Sequence, residues 1–142
     1  MKKILLWIHQ LPQNLIGFLM TRKYQNKLTF KWLSDEITVY YTKNVFGAGV
    51  CLGDYVLLDA DKHYQDEVLD SLSIRHELGH HHQSLYSGWL YLLIVGLPSA
   101  LRNIWDRIFH KRWSVKDRLS WYYSSFPEKQ AEAYTSIIRS YK

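Results

Sequence analysis

Residues 76–80 read HELGH, and this H-E-x-x-H pentapeptide decides how the rest of the chain is interpreted. On a helix, residues four apart lie on one face, so the imidazoles of His76 and His80 can reach a single metal ion. Glu77 lies about 100° further around the helix, close enough to contact a water on that ion without binding the metal. Two histidines beside a carboxylate are typical of a zinc hydrolase. The alternative is a solvated, histidine-rich helix face.

A third metal ligand is expected downstream, because a catalytic zinc site usually has three protein ligands and one open position. The candidates are His110, Asp117, Glu128 and Glu132. The last two are four residues apart, on a helix that we expect to begin near Pro127, since proline is favoured in the first turn of a helix. One of these carboxylates can bind the metal while the other hydrogen-bonds to a ligating histidine.

The hydrophobic pattern predicts one α+β domain over residues 1–142. Residues 36–43 alternate between apolar and polar, which is the period of a half-buried strand, and residues 27–31 and 49–59 also carry strand signals. We therefore expect a small antiparallel sheet of about three strands. From residue 66 onward the apolar spacing is helical, so the HELGH string should lie on a helix after the sheet, followed by further helices.

This arrangement resembles the gluzincin metallopeptidases, in which an HExxH helix is joined by a glutamate from a later helix, commonly in an ExxxD pattern. Glu128 and Glu132 match that pattern, with Glu in place of Asp at the second position. The resemblance implies a minimal zincin-like fold. It also implies that His76, His80 and Glu128 bind Zn²⁺, and that Glu132 orients a histidine from outside the ligand set.

The chain is also similar to an uncharacterised group of small bacterial proteins. These share an RHExGHxxQS segment, a G-x-L-Y-L-x-x-x-G-L-P-S segment and a later helix that carries carboxylates. The matching positions in this chain are residues 75–80, 83–84, 88, 90–92 and 96–99. Together the two resemblances cover about residues 75–133.

The expected function is zinc-dependent hydrolysis of a peptide or protein substrate, with Glu77 as the general base. The alternative is a non-catalytic zinc-binding or partner-binding module on the same zincin-like fold. Tyr122 and Tyr123 could each donate a hydrogen bond to an oxyanion, but in so aromatic a chain we interpret them as packing residues. The formal net charge of +5 is compatible with an anionic membrane surface. Nucleic acid is not expected as a partner, because no arginine-rich run or nucleic-acid motif occurs.

Two apolar stretches bear on where the protein works. Residues 1–23 form an amphipathic segment, which we interpret either as a helix docked on the core or as an interfacial membrane anchor with basic flanks. Its polar positions and the lack of a small-residue cleavage site argue against a signal peptide. Residues 88–101 are too few for a membrane span, and we expect a buried or re-entrant segment. Cys51 is the single cysteine, which fits a reducing compartment. We therefore predict a cytoplasmic protein, or one associated with the inner face of the membrane.

Overall fold

A computed structural model shows that the fold is α+β. The structure describes residues 2–22, 27–32, 35–43, 45, 47–63 and 67–138. Two helices come first, α1 (Lys2–His9) and α2 (Leu11–Thr21). A four-stranded sheet follows, with strands β1 (Lys27–Trp32), β2 (Asp35–Thr42), β3 (Gly49–Leu52) and β4 (Tyr55–Asp59). The remaining helices are α3 (Ala60–His63), α4 (Glu67–Ser87), α5 (Leu97–Phe109), α6 (Val115–Tyr122) and α7 (Glu128–Tyr134). A 3₁₀ turn (Gly88–Leu90) and a π-helical segment (Leu92–Gly96) connect α4 to α5.

The sheet is mixed, so the expectation of a purely antiparallel sheet is wrong, and it has four strands where about three were expected. Its strand order is β1-β2-β4-β3, and β2 pairs with β4 in parallel, with Val39 opposite Val56. The other two pairings are antiparallel. The physical reason lies in residues 56–58, which are apolar without interruption and fully buried. Such a run belongs in a central strand covered on both faces, so β4 rather than β3 lies beside β2.

The core joins the sheet to α4. Its buried cluster consists of Ile37, Val39, Cys51, Val56, Leu58 and Leu78. Leu78 is the third residue of the HELGH string and is only 2% exposed. Because Leu78 is fixed in the core, the neighbouring positions of the string are held at a constant distance from the sheet.

Helices α1 and α2 dock on the protein through their polar side. Gln10, Gln13 and Asn14 are fully buried. Gln13 Nε2 donates to Ser84 Oγ (2.9 Å), Ser84 Oγ donates to Gln10 Oε1 (2.6 Å), and Asn14 Oδ1 accepts from the backbone N–H of Asp54 (2.8 Å). Buried amides are tolerated when they are bonded in this way. The docking side is thus the reverse of the one expected for a helix on an apolar core, and most of the large apolar side chains of both helices are exposed.

The second apolar stretch is also largely exposed, so of the two alternatives for residues 88–101 the buried segment is wrong, and the re-entrant segment stays a prediction. Gly88, Tyr91 and Val95 point inward, whereas most of the remaining apolar side chains face outward. Residues 88, 91 and 95 are three and four apart, so they lie on one side of the helical segment, and the remaining positions form a wide side that faces outward. Within the part of the chain that the structure describes, no helix combines the length and apolar character needed to cross a membrane.

Candidate metal centre

Three side chains from two helices converge on one point. His76 and His80 lie on α4, and Glu128 is the first residue of α7. One ligand atom from each lies within 4.8 Å of the others. Glu128 Oε2 is 3.0 Å from His76 Nε2 and 3.1 Å from His80 Nε2. All three residues are buried, and they form the kind of two-nitrogen, one-oxygen set that binds a divalent cation.

A close helix contact brings Glu128 to the histidines. Gly79 lies between them on α4 and faces Ala131 of α7. A Cβ atom at Gly79 would lie 2.0 Å from the carbonyl oxygen of Ala131, so a side chain there would force the helices apart. Further along, the Arg75 guanidinium donates to the carbonyls of Thr135 and Ser136, which holds the C-terminal end of α7 against α4.

Gln83 fixes the tautomer of His80. Its Nε2 donates to the Pro127 carbonyl (2.9 Å) and to Gln130 Oε1 (2.8 Å), so its Oε1 is the acceptor that faces His80. His80 Nδ1 lies 2.7 Å from this oxygen and therefore donates to it, so Nε2 is the ring nitrogen directed at Glu128. A ligating histidine in a metal site usually has a partner of this kind.

Glu132 is the neighbour of His76. Its Oε1 lies 3.6 Å from His76 Nδ1, on the side of the ring away from Glu128. Both side chains are buried. The ring of His76 also packs edge-on against Tyr123, with the centroids 5.1 Å apart. The structure thus places a carboxylate beside His76 and an amide beside His80.

Ser99 and Tyr122 hold the other oxygen of Glu128. Ser99 Oγ donates to Glu128 Oε1 (2.5 Å), and the Tyr122 hydroxyl donates to the same atom (3.1 Å). Sequence reasoning missed this role. The sequence marks Ser99 only as part of the matching GLPS segment, and the many aromatic residues of the chain favour a packing role for Tyr122. Spacing along the chain gives no signal for the contact, because α5, α6 and α7 are brought together only by tertiary packing.

The charge states of the three converging side chains depend on one another. Burial disfavours charge on His76, but the carboxylates of Glu128 and Glu132 outweigh it and raise its pKa to about 9. Burial also disfavours the Glu128 anion, yet the hydrogen bonds from His76 and His80 hold the pKa of Glu128 well below its usual range. The cluster therefore places a buried carboxylate anion between two imidazoles, and this donor set could hold a metal ion.

Glu77 lies beside this cluster and is not part of it. It is 5% exposed, and its Oε2 has no hydrogen-bond partner within the described residues. Burial raises the pKa of Glu77, while the nearby imidazoles of His80 and His76 oppose that rise. A Cβ atom at Gly49 would lie 2.7 Å from Glu77 Oε1, so glycine leaves room for the carboxylate. A buried carboxylate oxygen without a hydrogen bond costs folding free energy. Such a group is expected where a protein binds a water molecule or a substrate.

The cluster lines a cleft of about 390 Å³. Its polar lining includes His76, Glu77, His80 and Glu128, together with Ser99, Asn103 and Tyr122. Its apolar walls come from α2, β3, the π-helical segment and the start of α5, and they include Ile16, Met20, Val50, Leu52, Leu92 and Ala100. The site is therefore a small polar patch within an apolar cleft.

The other sequence candidates lie elsewhere. His110 Nδ1 is 3.3 Å from Asp106 Oδ1, and its ring stacks on Trp113. Asp117 accepts from Ser114 Oγ (2.6 Å) at the start of α6. Neither belongs to the cluster that could hold a metal ion among the described residues.

The centre combines a buried His-His-Glu cluster with a carboxylate that stands next to it and outside the ligand set. Each of its residues was identified from the sequence, and the residues that orient them are supplied by the fold. Comparison of the chain with protein-family models, with curated proteins and with solved structures found no match. The functional assignment therefore depends on the geometry and chemistry of these residues.

Proposed function

We propose that the protein is a zinc-dependent hydrolase, specifically a metallopeptidase on a zincin-like fold. The observation that carries this is the convergence of His76, His80 and Glu128 in a cleft, with the unpartnered carboxylate of Glu77 beside them. A zinc site that serves stability alone usually has four protein ligands and is closed. Three ligands at a cleft leave a position for water or substrate, and this favours an enzyme over a non-catalytic zinc-binding module.

Glu77 is the general base in this proposal. Zn²⁺ held by His76, His80 and Glu128 would supply a Lewis acid that lowers the pKa of water toward neutrality. Glu77 accepts the proton of the water that attacks the amide carbonyl. It then delivers this proton to the amine nitrogen as the C–N bond breaks. Burial raises the pKa of Glu77 above its ordinary value, which makes its carboxylate a better proton acceptor.

A peptide substrate is supported by the position of β3. This strand lies at one end of the strand order, and its residues line the cleft next to Glu77. An extended peptide can add to a sheet edge through backbone hydrogen bonds. Such a peptide would run past the catalytic carboxylate with its alternate side chains directed into the apolar cleft.

We also infer that the protein works on the cytoplasmic side of a membrane. Cys51 is a buried free thiol, as expected in a reducing compartment. Helices α1 and α2 expose apolar side chains and carry Lys2, Lys3 and Arg22 at their ends. Apolar surface with basic flanks is typical of proteins bound to anionic lipid.

The test is Glu77→Gln, assayed on an unstructured casein-like substrate with and without anionic vesicles. We expect the variant to keep its zinc and its fold and to lose about 10²–10⁴-fold in rate, because only the proton acceptor is removed. Asp117→Asn makes the same change of a carboxylate to an amide at an exposed residue of α6 outside the cleft and should keep wild-type activity. Undiminished hydrolysis in Glu77→Gln would refute the mechanism. Zinc bound in the wild type without any hydrolysis would instead favour the non-catalytic module.

A further inference from the structure

The exposed apolar side chains are concentrated in two segments. Of the 25 large apolar residues that are exposed in the described part of the chain, eighteen lie within residues 4–20 and 89–109. In the first segment these are Ile4, Leu5, Ile8, Leu15, Ile16, Phe18, Leu19 and Met20. In the second they are Trp89, Leu90, Leu93, Ile94, Leu97, Leu101, Ile104, Trp105, Ile108 and Phe109. We call these eighteen residues the apolar surface. Contiguous exposed apolar area on this scale marks an interaction site.

The second segment is amphipathic in the same reversed sense as the first. On its inner side, Ser99 bonds to Glu128, and Arg102 donates to the carbonyls of residues 121 and 122. Asp106 forms an ion pair with Arg118 of α6. These polar residues hold the segment to the protein together with the buried Tyr91 and Val95, and most of its other large apolar side chains are left outside. In both segments a polar side faces the protein and an apolar side faces outward. This arrangement indicates a surface that binds a partner.

The two segments adjoin each other around the candidate metal centre. The Trp89 indole N–H donates to the carbonyl of Ile8 (2.8 Å), which joins them at one end. The cleft lies between them, with Ile16 on the side of α2 and Leu92 and Ala100 on the other. An apolar molecule that covers the surface therefore has direct access to the cleft.

Positive charge surrounds the apolar surface. Lys2 and Lys3 begin α1, Arg22 follows α2, and residues 111–112 are Lys-Arg just beyond α5. The sequence contains no Asp or Glu in residues 1–34. Anionic lipid headgroups are complementary to this pattern. A second copy of the chain is not, since it would bring like charges together around the contact.

We propose that the apolar surface lies in the interface of an anionic bilayer, and that the cleft takes its substrate from there. The substrate class is a polypeptide segment with apolar side chains that resides at the membrane surface. The exposed tryptophans Trp89 and Trp105 suit this position, because indole rings favour the headgroup region. This inference rests on the proposed peptidase activity for the substrate, and on the apolar surface alone for the membrane.

Membrane binding is tested by sedimentation with vesicles of phosphatidylglycerol and phosphatidylcholine. The variant is Leu93→Glu/Leu101→Glu, which changes two side chains that are 63% and 55% exposed. We expect its partitioning to fall at least about tenfold, since burial of both leucines in lipid is lost. Val115→Glu is the matched control, because Val115 is 72% exposed and lies on α6, outside the apolar surface. Wild-type protein that does not sediment with these vesicles would overturn the membrane assignment.

Substrate delivery is tested with one cleavable apolar peptide in two forms, free in solution and fused to a membrane-spanning helix in the same vesicles. We expect the wild type to cleave the vesicle-bound form at least about tenfold faster. The Leu93→Glu/Leu101→Glu variant should lose this preference and keep its rate on the free peptide.

Equal wild-type rates on both forms would overturn the substrate class and leave the peptidase standing. Cleavage of neither form by zinc-loaded protein would overturn the peptidase itself. A dimer in solution that the leucine variant dissociates would assign the apolar surface to a second copy and overturn the lipid partner.

Discussion

At the scale of single residues, Glu128 is held on both of its oxygens before any metal binds. Oε2 faces the two imidazoles, and Oε1 accepts from Ser99 and Tyr122. The carboxylate therefore loses little rotational freedom when a cation enters. A ligand that is oriented in advance binds metal more tightly than one that must be ordered on binding.

Ser99→Ala tests this orientation. We expect zinc affinity to fall by about 10–100-fold, because the partner that holds Glu128 Oε1 is lost. The affinity can be measured by competition with a chromophoric chelator. Ser120→Ala is the matched control, since Ser120 is exposed on α6. Unchanged affinity in Ser99→Ala would show that the orientation of Glu128 does not depend on this hydroxyl.

Glu128→Gln and Glu132→Gln distinguish the ligand from its neighbour. Glu128 Oε2 lies close to the Nε2 atoms of both His76 and His80, whereas Glu132 Oε1 lies close only to the Nδ1 atom of His76. We expect Glu128→Gln to abolish stoichiometric zinc binding, and Glu132→Gln to weaken it by about tenfold. Metal analysis and chelator competition give both values. The opposite order would mean that the two carboxylates exchange these roles.

At the scale of elements, the contact between α4 and α7 determines whether the centre can form. The HELGH string supplies its ligands only if α7 lies almost in backbone contact with α4. Gly79 makes this possible, because the Ala131 carbonyl occupies the space of a side chain there. The unspecified fourth position of the HExxH pattern is thus a packing requirement in this chain.

Gly79→Ala should therefore destabilise the protein by about 1–3 kcal/mol and reduce zinc binding, since the added methyl group displaces α7. Gly96→Ala is the control, because its nearest contacts to an added Cβ atom are at ordinary distances of 3.7 and 3.9 Å. Denaturant titration of both variants, with zinc analysis, measures the difference. Full zinc occupancy and wild-type stability in Gly79→Ala would contradict the close contact described here.

The sequence was most informative where local spacing determines geometry. Two histidines four residues apart must share a helix face, and a proline followed by two carboxylates marks a helix start with polar groups on one side. The α+β class followed from the change between period two and helical spacing. These patterns placed His76, His80 and Glu128 on two helices before any tertiary contact was known.

Features that depend on tertiary pairing were not accessible in this way. Alternation marks a strand without naming its partner, so the parallel pairing of β2 with β4 was missed. Amphipathic spacing in α1 and α2 separated two sides correctly, but it does not say which side faces the protein. Ser99 reaches Glu128 and Gln83 reaches Pro127 across long stretches of sequence, whereas the contact of Gln83 with His80 lies within α4. Their role became visible only in the folded chain.

At the scale of the whole molecule, zinc and stability should be linked. A ligand that binds only the folded state at about 1,000 times its Kd stabilises by about 4 kcal/mol. For a chain of this size the Tm should rise by roughly 10 °C. Thermal unfolding with zinc and with chelator measures this shift. His76→Ala/His80→Ala should bind no zinc and show no shift, and a shift of equal size in that variant would place the metal elsewhere.

The polar docking of α1 and α2 has a consequence for how the protein could leave a membrane. A protease that trims off an anchor releases a surface-bound protein only if the rest of the chain stays folded. Here the same residues that present the anchor, Gln10, Gln13 and Asn14, fill the interior and bond to Ser84 and Asp54. Trimming would leave a hole lined by unsatisfied polar groups. The expected product is an unfolded chain, so under the proposed membrane location the protein should have no shed, diffusible form.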